Sequence, residues 1–257
     1  MARATSLRVI ITGTSGGLGQ ALAERYAAQG ATLGLIARRE AELKQLAARL
    51  NSPSRIYPLD VRDAVGLAAA ASDFMSHHGC PDVVIANAGV SFGTLTEYAE
   101  DVQTFQDVLD INVMGMVKTF QPFVAKMRDK RQGILVGIAS VAGYRGLPGA
   151  GAYSASKAAA ISYLESLRVE LRRCGVTVIT ICPGFIATPM TAKNPYSMPF
   201  LMSANTAARK IVSIIESRRT FTVIPWQMAL VARVLNVLPN WLYDRLFAGA
   251  TRKPRRW

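Results

Sequence analysis

Few folds can accommodate the way this chain begins. A short β-branched run, Leu7-Arg8-Val9-Ile10-Ile11, passes directly into Thr12-Gly13-Thr14-Ser15-Gly16-Gly17-Leu18-Gly19, and a helical pattern follows from Gln20 to Gln29. A buried strand, a turn of small residues and an amphipathic helix in that order are the context in which a glycine cluster acquires meaning. The glycines let the backbone approach a ligand closely, and the helix behind them offers unpaired N–H groups at the positive end of its dipole. A tight turn alone would explain Gly13 but not so many small residues together. The reading is a pyrophosphate cradle, and so a dinucleotide site.

A second strand, Thr32 to Ile36, ends at Ala37-Arg38-Arg39-Glu40. At this position a dinucleotide fold reads the adenosine ribose: an acid accepts from a free 2′-hydroxyl, whereas arginine accommodates a 2′-phosphate. Ala37 stands where an acid would favour NAD, and Arg38 and Arg39 follow, so NADP(H) is expected. Arg39 by itself also reads as the solvated start of the Glu40–Leu50 helix. A third strand, Arg55–Leu59, leads into Asp60-Val61, where Asp60 either caps the next helix, in competition with Asp63, or meets the adenine amino group. That helix runs from Ala64 to His78, and its closing His77 and His78 read as dipole or solvent contacts. Val83–Ala86 is a fourth strand, closed by Asn87-Ala88-Gly89.

A long helical pattern from Val102 to Met127 carries Asn112 between β-branched residues, a poor helix position unless the amide is used elsewhere. The strand Ile134–Ile138 delivers Ser140, the helix Ala152–Arg173 carries Tyr153 and Lys157, and Val176–Ile181 and Thr220–Ile224 are the last strands. Strands and helices alternating at this spacing predict an α/β fold, one doubly wound parallel sheet of about seven strands with helices on both faces. Ligands gather at the carboxyl ends of such strands, where the glycine turn, Asn87, Ser140 and Pro183-Gly184 all fall.

Tyr153 and Lys157 are spaced i, i+4 and share one helix face. A free phenol, with a pKa of about 10, is a poor acid–base catalyst at neutral pH. An ammonium beside it favours the phenolate and brings the group toward the working range. Ser140 lies one short loop upstream and could bond the same substrate oxygen. Proton transfer to a carbonyl oxygen has its parts here, given a hydride source.

Composition narrows the rest. The chain has 257 residues, 50% hydrophobic, enough for one sizeable core. Cys80, Cys174 and Cys182 fall in no metal-binding or paired spacing, so reduced thiols, a reducing cytoplasmic compartment and no metal are expected. Met1 to Leu7 contains no apolar segment long enough for a signal peptide. The net charge of +13 comes without any nucleic-acid signature, which leaves a phosphate-bearing cofactor or an anionic membrane surface to explain it.

In this order and spacing the motifs resemble the short-chain dehydrogenase/reductase family over roughly Leu7 to Ile224. They are Thr12-Gly13-Thr14-Ser15-Gly16-Gly17-Leu18-Gly19, Asp60-Val61, Asn87-Ala88-Gly89, Asn112, Ser140, Tyr153-Ser154-Ala155-Ser156-Lys157 and Pro183-Gly184-Phe185-Ile186-Ala187-Thr188. Ala86 departs from the family, which often has a second Asn there. The resemblance implies a Rossmann-type domain over 1–225, with a substrate lid at about 188–206, and a helical extension over 226–257. It implies that Gly13, Ser15, Gly16, Gly17, Leu18 and Gly19 hold the pyrophosphate, Asp60 and Val61 adenine, and Asn87, Ala88 and Gly89 the central ribose region. Pro183, Gly184, Ile186 and Thr188 would flank the nicotinamide. Tyr153 would be the general acid and Ser140 would polarise the carbonyl. Lys157 would bond the nicotinamide ribose and depress the tyrosine, and Asn112 would position a water in a relay through Lys157. Pairing through the two long helices would give a homodimer, or a tetramer. A non-enzymatic dinucleotide-sensing scaffold on the same fold would need none of these four side chains.

Two segments depart from the simpler members. The lid, Pro189-Met190 through Tyr196 to Met202, is rich in methionine and aromatic residues, so a hydrophobic carbonyl or alcohol substrate, steroid-, sphingoid- or lipid-like, is expected. The extension, Trp226 to Leu238 and Asn240 to Phe247, breaks at Pro239 into two apolar helices. The first would span only about 20 Å, too short for a bilayer. With Trp226, Trp241, Trp257 and the cations Arg252, Lys253, Arg255 and Arg256, it reads either as a peripheral membrane contact or as packing on a neighbouring subunit or on the chain's own cleft.

Overall fold

The computed structural model describes residues 6–256; the expectations for Met1–Thr5 and for Trp257 lie outside the described residues. The first half of the chain builds β1 (Arg8–Thr12), α1 (Gly17–Ala27), β2 (Thr32–Ala37), α2 (Glu40–Arg49), β3 (Ser54–Pro58), α3 (Ala64–His78) and β4 (Val83–Ala86). Then come α4 (Ala99–Leu109), α5 (Gly115–Lys130), β5 (Gly133–Ile138), α6 (Gly151–Leu171) and β6 (Val176–Pro183). The described chain closes with β7 (Ile186–Ala187), β8 (Met202–Ser203), α7 (Ala204–Glu216), β9 (Phe221–Ile224), α8 (Trp226–Val237) and α9 (Asn240–Phe247). Seven strands form one sheet, β3-β2-β1-β4-β5-β6-β9, with every neighbouring pair parallel. The short β7 and β8 pair separately and tie the base of the lid.

Successive side chains of a strand point to opposite faces, so β1 feeds two cores. Val9 and Ile11 pack with Leu22, Tyr26, Leu33, Leu35 and Ile211 on the side of α1 and α7. Ile10 packs with Phe74, Phe120, Phe123 and Leu164 on the side of α3, α5 and α6. A sheet covered on both faces explains why its strands read as continuous apolar runs. Asp63, rather than Asp60, caps α3, accepting from the Gly66 amide at 2.9 Å. His77 turns back to the Asp73 carbonyl at 2.8 Å and lies 3.5 Å from its carboxylate, an acidic partner one turn away.

The expected helix from Val102 to Met127 is not uniform. It runs as α4 and α5 with a π-helical turn, Asp110–Met114, between them. Val102 on α4 and Val169 on α6 remain exposed on the helices through which the family resemblance expects a homodimer to pair.

The extension does break at Pro239, and it folds onto the chain's own β5–α6 loop. Arg145 donates to the carbonyls of Leu235 (3.2 Å) and Leu238 (3.0 Å) and to Asn240 Oδ1 (2.8 Å). Its guanidinium stands 4.5 Å from the Tyr243 ring centre, and the Tyr243 hydroxyl donates to the Gly146 carbonyl. Met228 of α8 fills the space beside Gly184, where an added Cβ would come within 2.6 Å of Met228 Cγ. The outer faces of α8 and α9 leave Trp226, Leu230, Val234, Val237, Trp241 and Leu246 exposed. No helix among the described residues is long and apolar enough to cross a membrane.

Candidate active site

The glycine turn opens where the sheet order reverses, between β1 and β4. Thr12 stitches the two strand ends together: its Oγ1 accepts from the amides of Asn87 and Ala88, both at 3.1 Å. Asn87 Nδ2 returns a bond to the Thr12 carbonyl at 2.9 Å. Gly13 has φ +75° and Gly17 has φ +57°, a region that disfavours side chains, and a Cβ on Gly19 would stand 2.2 Å from the Gly13 carbonyl oxygen. Behind the turn, α1 begins with no side-chain cap and no acid in its first turn, so its leading amides remain available to an anion.

A cleft of about 330 Å³ extends from this turn to the end of β5. It is lined by every residue expected of the site except Asn112: Gly13 and Ser15 to Gly19 of the glycine loop, Arg38, Arg39, Asp60, Val61, Asn87, Ala88, Gly89, Ser140, Tyr153, Lys157, Pro183, Gly184, Ile186 and Thr188. Glycine where the backbone turns, uncapped amides and open volume together fit a nicotinamide dinucleotide. Among the described residues no cluster of three His, Cys, Asp or Glu side chains could hold a metal.

At the adenosine end, Arg39 does more than start α2. Its Nη2 donates to the Ser15 carbonyl at 2.9 Å and to Ser15 Oγ at 3.1 Å, while Nη1 pairs with Glu42 at 2.9 Å. Arg38 stands 3.9 Å from Asp60, whose carboxylate is already held by Arg62 Nη2 at 2.9 Å and by the Arg62 amide. Burial works upward on Asp60, but the bonds and charge of Arg62, with Arg38 behind them, outweigh it and hold the carboxyl below its ordinary value.

At the other end, β5 delivers Ser140, whose Oγ accepts from the Ala142 amide at 3.2 Å and lies 3.5 Å from the Pro183 carbonyl. Tyr153 and Lys157 do share one face of α6, but Lys157 Nζ lies 5.7 Å from the Tyr153 ring centre and donates to the Ile138 carbonyl at 2.8 Å. Burial pushes the Tyr153 phenol above its ordinary value, against the downward pull of the Ser140 hydroxyl. Burial also brings the Lys157 ammonium down to about 8. In the protein alone the Lys157 ammonium is turned to a backbone carbonyl, and desolvation is the largest influence on both groups.

Asn112 sits behind the cleft, 1% exposed, inside the π-helical turn. Its Oδ1 accepts from the Val90 amide at 2.8 Å, and its two amide hydrogens go to the Val90 carbonyl (3.0 Å) and Ser156 Oγ (2.9 Å). Ser156 in turn donates to the Tyr153 carbonyl at 2.8 Å. The amide is thus used to join the β4 loop to α6, which accounts for an asparagine in a poor helix position, and no side-chain donor is left for a water.

The sequence gives no local signal for the contacts of three residues. Thr12 has the look of an ordinary strand end. Cys182 is fully buried, and burial pushes its thiol up to about 12, so it stays neutral. Lys253, from the far end of the chain, places Nζ 5.9 Å from the Tyr153 ring centre.

Fold and cleft together define a dinucleotide-binding α/β oxidoreductase. The short chain dehydrogenase family matches residues 8–198, and the chain belongs to that family. An uncharacterized oxidoreductase of Myxococcus xanthus is 36% identical over 247 residues, covering 95% of this chain and 97% of the relative. The 2-dehydro-3-deoxy-L-rhamnonate dehydrogenase (NAD(+)) of a Sphingomonas species is 35% identical over 188 residues, covering 73% of this chain and 75% of its own. The crystal structure of a short-chain dehydrogenase from Streptomyces avermitilis superposes with a TM-score of 0.80 at 25% identity, covering 95% of this chain and 98% of that one.

Proposed function

We propose that the chain is an NADP(H)-dependent reductase that interconverts a ketone and a secondary alcohol on a hydrophobic molecule. The observation that carries this reading is the meeting of Ser140, Tyr153 and Lys157 at one end of a cleft whose other end is the glycine turn. The bound nicotinamide supplies hydride to the carbonyl carbon. Tyr153 donates the proton to the carbonyl oxygen, and Ser140 donates a hydrogen bond to the same oxygen, stabilising charge as it develops there. Lys157, nearly buried and facing the Ile138 carbonyl, holds the ribose side of the nicotinamide and carries a proton that Tyr153 can recover. Asn112 is a positioning residue: through Val90 and Ser156 it sets the β4 loop against the helix that bears Tyr153. Alcohol oxidation uses the same groups in reverse.

NADP(H) is favoured by Ala37, which offers no carboxylate to a ribose 2′-hydroxyl, and by Arg38 and Arg39, which border the same end of the cleft. The Sphingomonas relative, named for NAD(+), marks the alternative. An apolar substrate is supported by the lid, where Met190 lines the cleft, Phe185 and Tyr196 pack at 6.4 Å between ring centres, and Phe200 and Leu201 are exposed. The exposed apolar faces of α8 and α9 support peripheral contact with an anionic lipid surface.

Tyr153→Phe tests the assignment of the acid. It removes most NADPH-dependent ketone reduction, at least a hundredfold by the usual worth of general acid catalysis, while dinucleotide binding persists. Turnover retained within a few-fold of wild type would refute the assignment.

A further inference from the structure

The basic tail does not hang free. After α9 the chain returns across the carboxyl edge of the sheet and threads between the loop that follows β4 and the loop that precedes α6. On one side the Gly93 amide donates to the Pro254 carbonyl at 2.9 Å, and a Cβ on Gly93 would stand 2.2 Å from the Lys253 carbonyl oxygen. On the other, a Cβ on Gly149 would meet Arg252 Cβ at 2.8 Å. Two glycines therefore form the slot through which residues 252–254 pass.

Beyond the slot the tail is fastened by charge. Arg255 donates to Asp101 Oδ2 and to Glu100 Oε1, both at 2.7 Å, and its guanidinium lies 3.6 Å from the Tyr98 ring centre. Arg256 pairs with Asp107. Asp101 is 2% exposed and also accepts from the Leu95 amide at 2.8 Å, so the fastening is built into the fold of the β4 loop.

Lys253 differs from these two arginines. Its Nζ donates to Ser91 Oγ at 2.8 Å, and no carboxylate among the described residues lies within ion-pair distance of it. It is partly buried, and burial pushes its ammonium below the ordinary value. A partly buried cation with only a neutral hydroxyl and an aromatic ring for company is an unfavourable arrangement unless a negative charge comes to meet it. The place where that charge would arrive is beside Tyr153, over whose ring the ammonium stands at 5.9 Å.

We propose that Lys253, with Ser91, is a specificity-determining site for a carboxylate carried by the substrate a few bonds from its carbonyl. The substrate is then an amphiphilic oxo acid, with its apolar part toward the lid and its carboxylate toward the returning tail. This deepens the reading of the same cleft as a carbonyl reductase and rests on it, and it gives the tail a place in recognition. A carboxylate at Lys253 stands close enough to the reacting carbonyl to fix its orientation at Tyr153, which is the use a remote binding contact has in catalysis.

The test is calorimetric and needs no turnover, so it stands apart from the Tyr153→Phe experiment. The full chain with bound NADPH is titrated with octanoate and with octanol, in wild type and in Lys253→Gln, Lys253→Arg and Gly93→Ala. Wild type is expected to bind octanoate at least about tenfold more tightly than octanol, about 1.4 kcal/mol. Lys253→Gln abolishes that preference and Lys253→Arg retains most of it. Gly93→Ala abolishes it with Lys253 intact, because the new Cβ evicts the tail from its slot. In turnover, the ratio of kcat/KM for levulinate to that for methyl levulinate falls by a similar factor in Lys253→Gln. Equal affinity of wild type for the two probes, no octanoate binding, or a preference that survives in Lys253→Gln would each overturn the proposal.

Discussion

Lys157 presents the sharpest conflict between stability and function in this molecule, and Lys157→Met measures it. The ammonium is 5% exposed, and burial moves it from 10.5 to about 8. At about 1.4 kcal/mol per pH unit, keeping it protonated in the fold costs on the order of 3 kcal/mol. The bond to the Ile138 carbonyl offsets about 1 kcal/mol of that when present, and it is lost in the variant. Lys157→Met is therefore expected to be more stable than wild type by about 2 kcal/mol at pH 7 while losing reductase activity. The folded pKa lies below the unfolded one, so the unfolded chain binds more protons between about pH 8 and pH 10.5. Wild-type stability consequently rises with pH across that window, and the penalty is full below it. The advantage of the variant should then disappear by about pH 9.5. Urea unfolding of both proteins without added dinucleotide, followed by circular dichroism from pH 7 upward, reads the difference directly. Other titrating groups are common to both proteins and cancel. A variant no more stable than wild type at pH 7, or a difference that does not change with pH, would refute the reasoning.

Arg39→Ala separates the two jobs of that side chain. Loss of its bonds to Ser15 weakens NADH binding by up to about fivefold, and loss of the phosphate partner weakens NADPH binding by about a further tenfold. Equal changes for both cofactors in fluorescence titrations would remove the case for a 2′-phosphate site at this arginine. Flotation with phosphatidylserine vesicles examines α8 and α9: the full chain co-floats at low salt, and Trp226→Ser with Trp241→Ser abolishes it. Failure of the unaltered chain to co-float would end that reading.

The site was unevenly legible in the sequence. The glycine turn could be read because its function lies in one contiguous stretch, where small residues, a strand and a helix announce one another. Tyr153 and Lys157 could be read because helical periodicity alone puts them on one face. Asn112 was half legible: its misfit in a helix said that its amide was engaged, but only the fold shows that the partners are Val90 and Ser156, 22 and 44 residues away. The contest between Asp60 and Asp63 for the α3 cap was likewise open until backbone geometry gave the Gly66 amide to Asp63.

What the sequence determined by itself, then, is the order of the main strands and helices, the glycine turn and the face of α6 that carries Tyr153 and Lys157, since each follows from local pattern and backbone preference. What the tertiary structure alone decided is where the tail goes and which way the lysines point. Arg252 to Arg256 carry no local signal beyond their charge, and that charge suited an anionic membrane as well as a protein surface. Their partners, Gly93, Gly149, Glu100, Asp101 and Ser91, are brought to them only when the sheet closes and its carboxyl edge gathers loops from distant parts of the chain. The contact of Lys253 with Ser91 spans 162 residues, and a pairing at that separation arises from packing of the whole sheet, which no window of sequence contains.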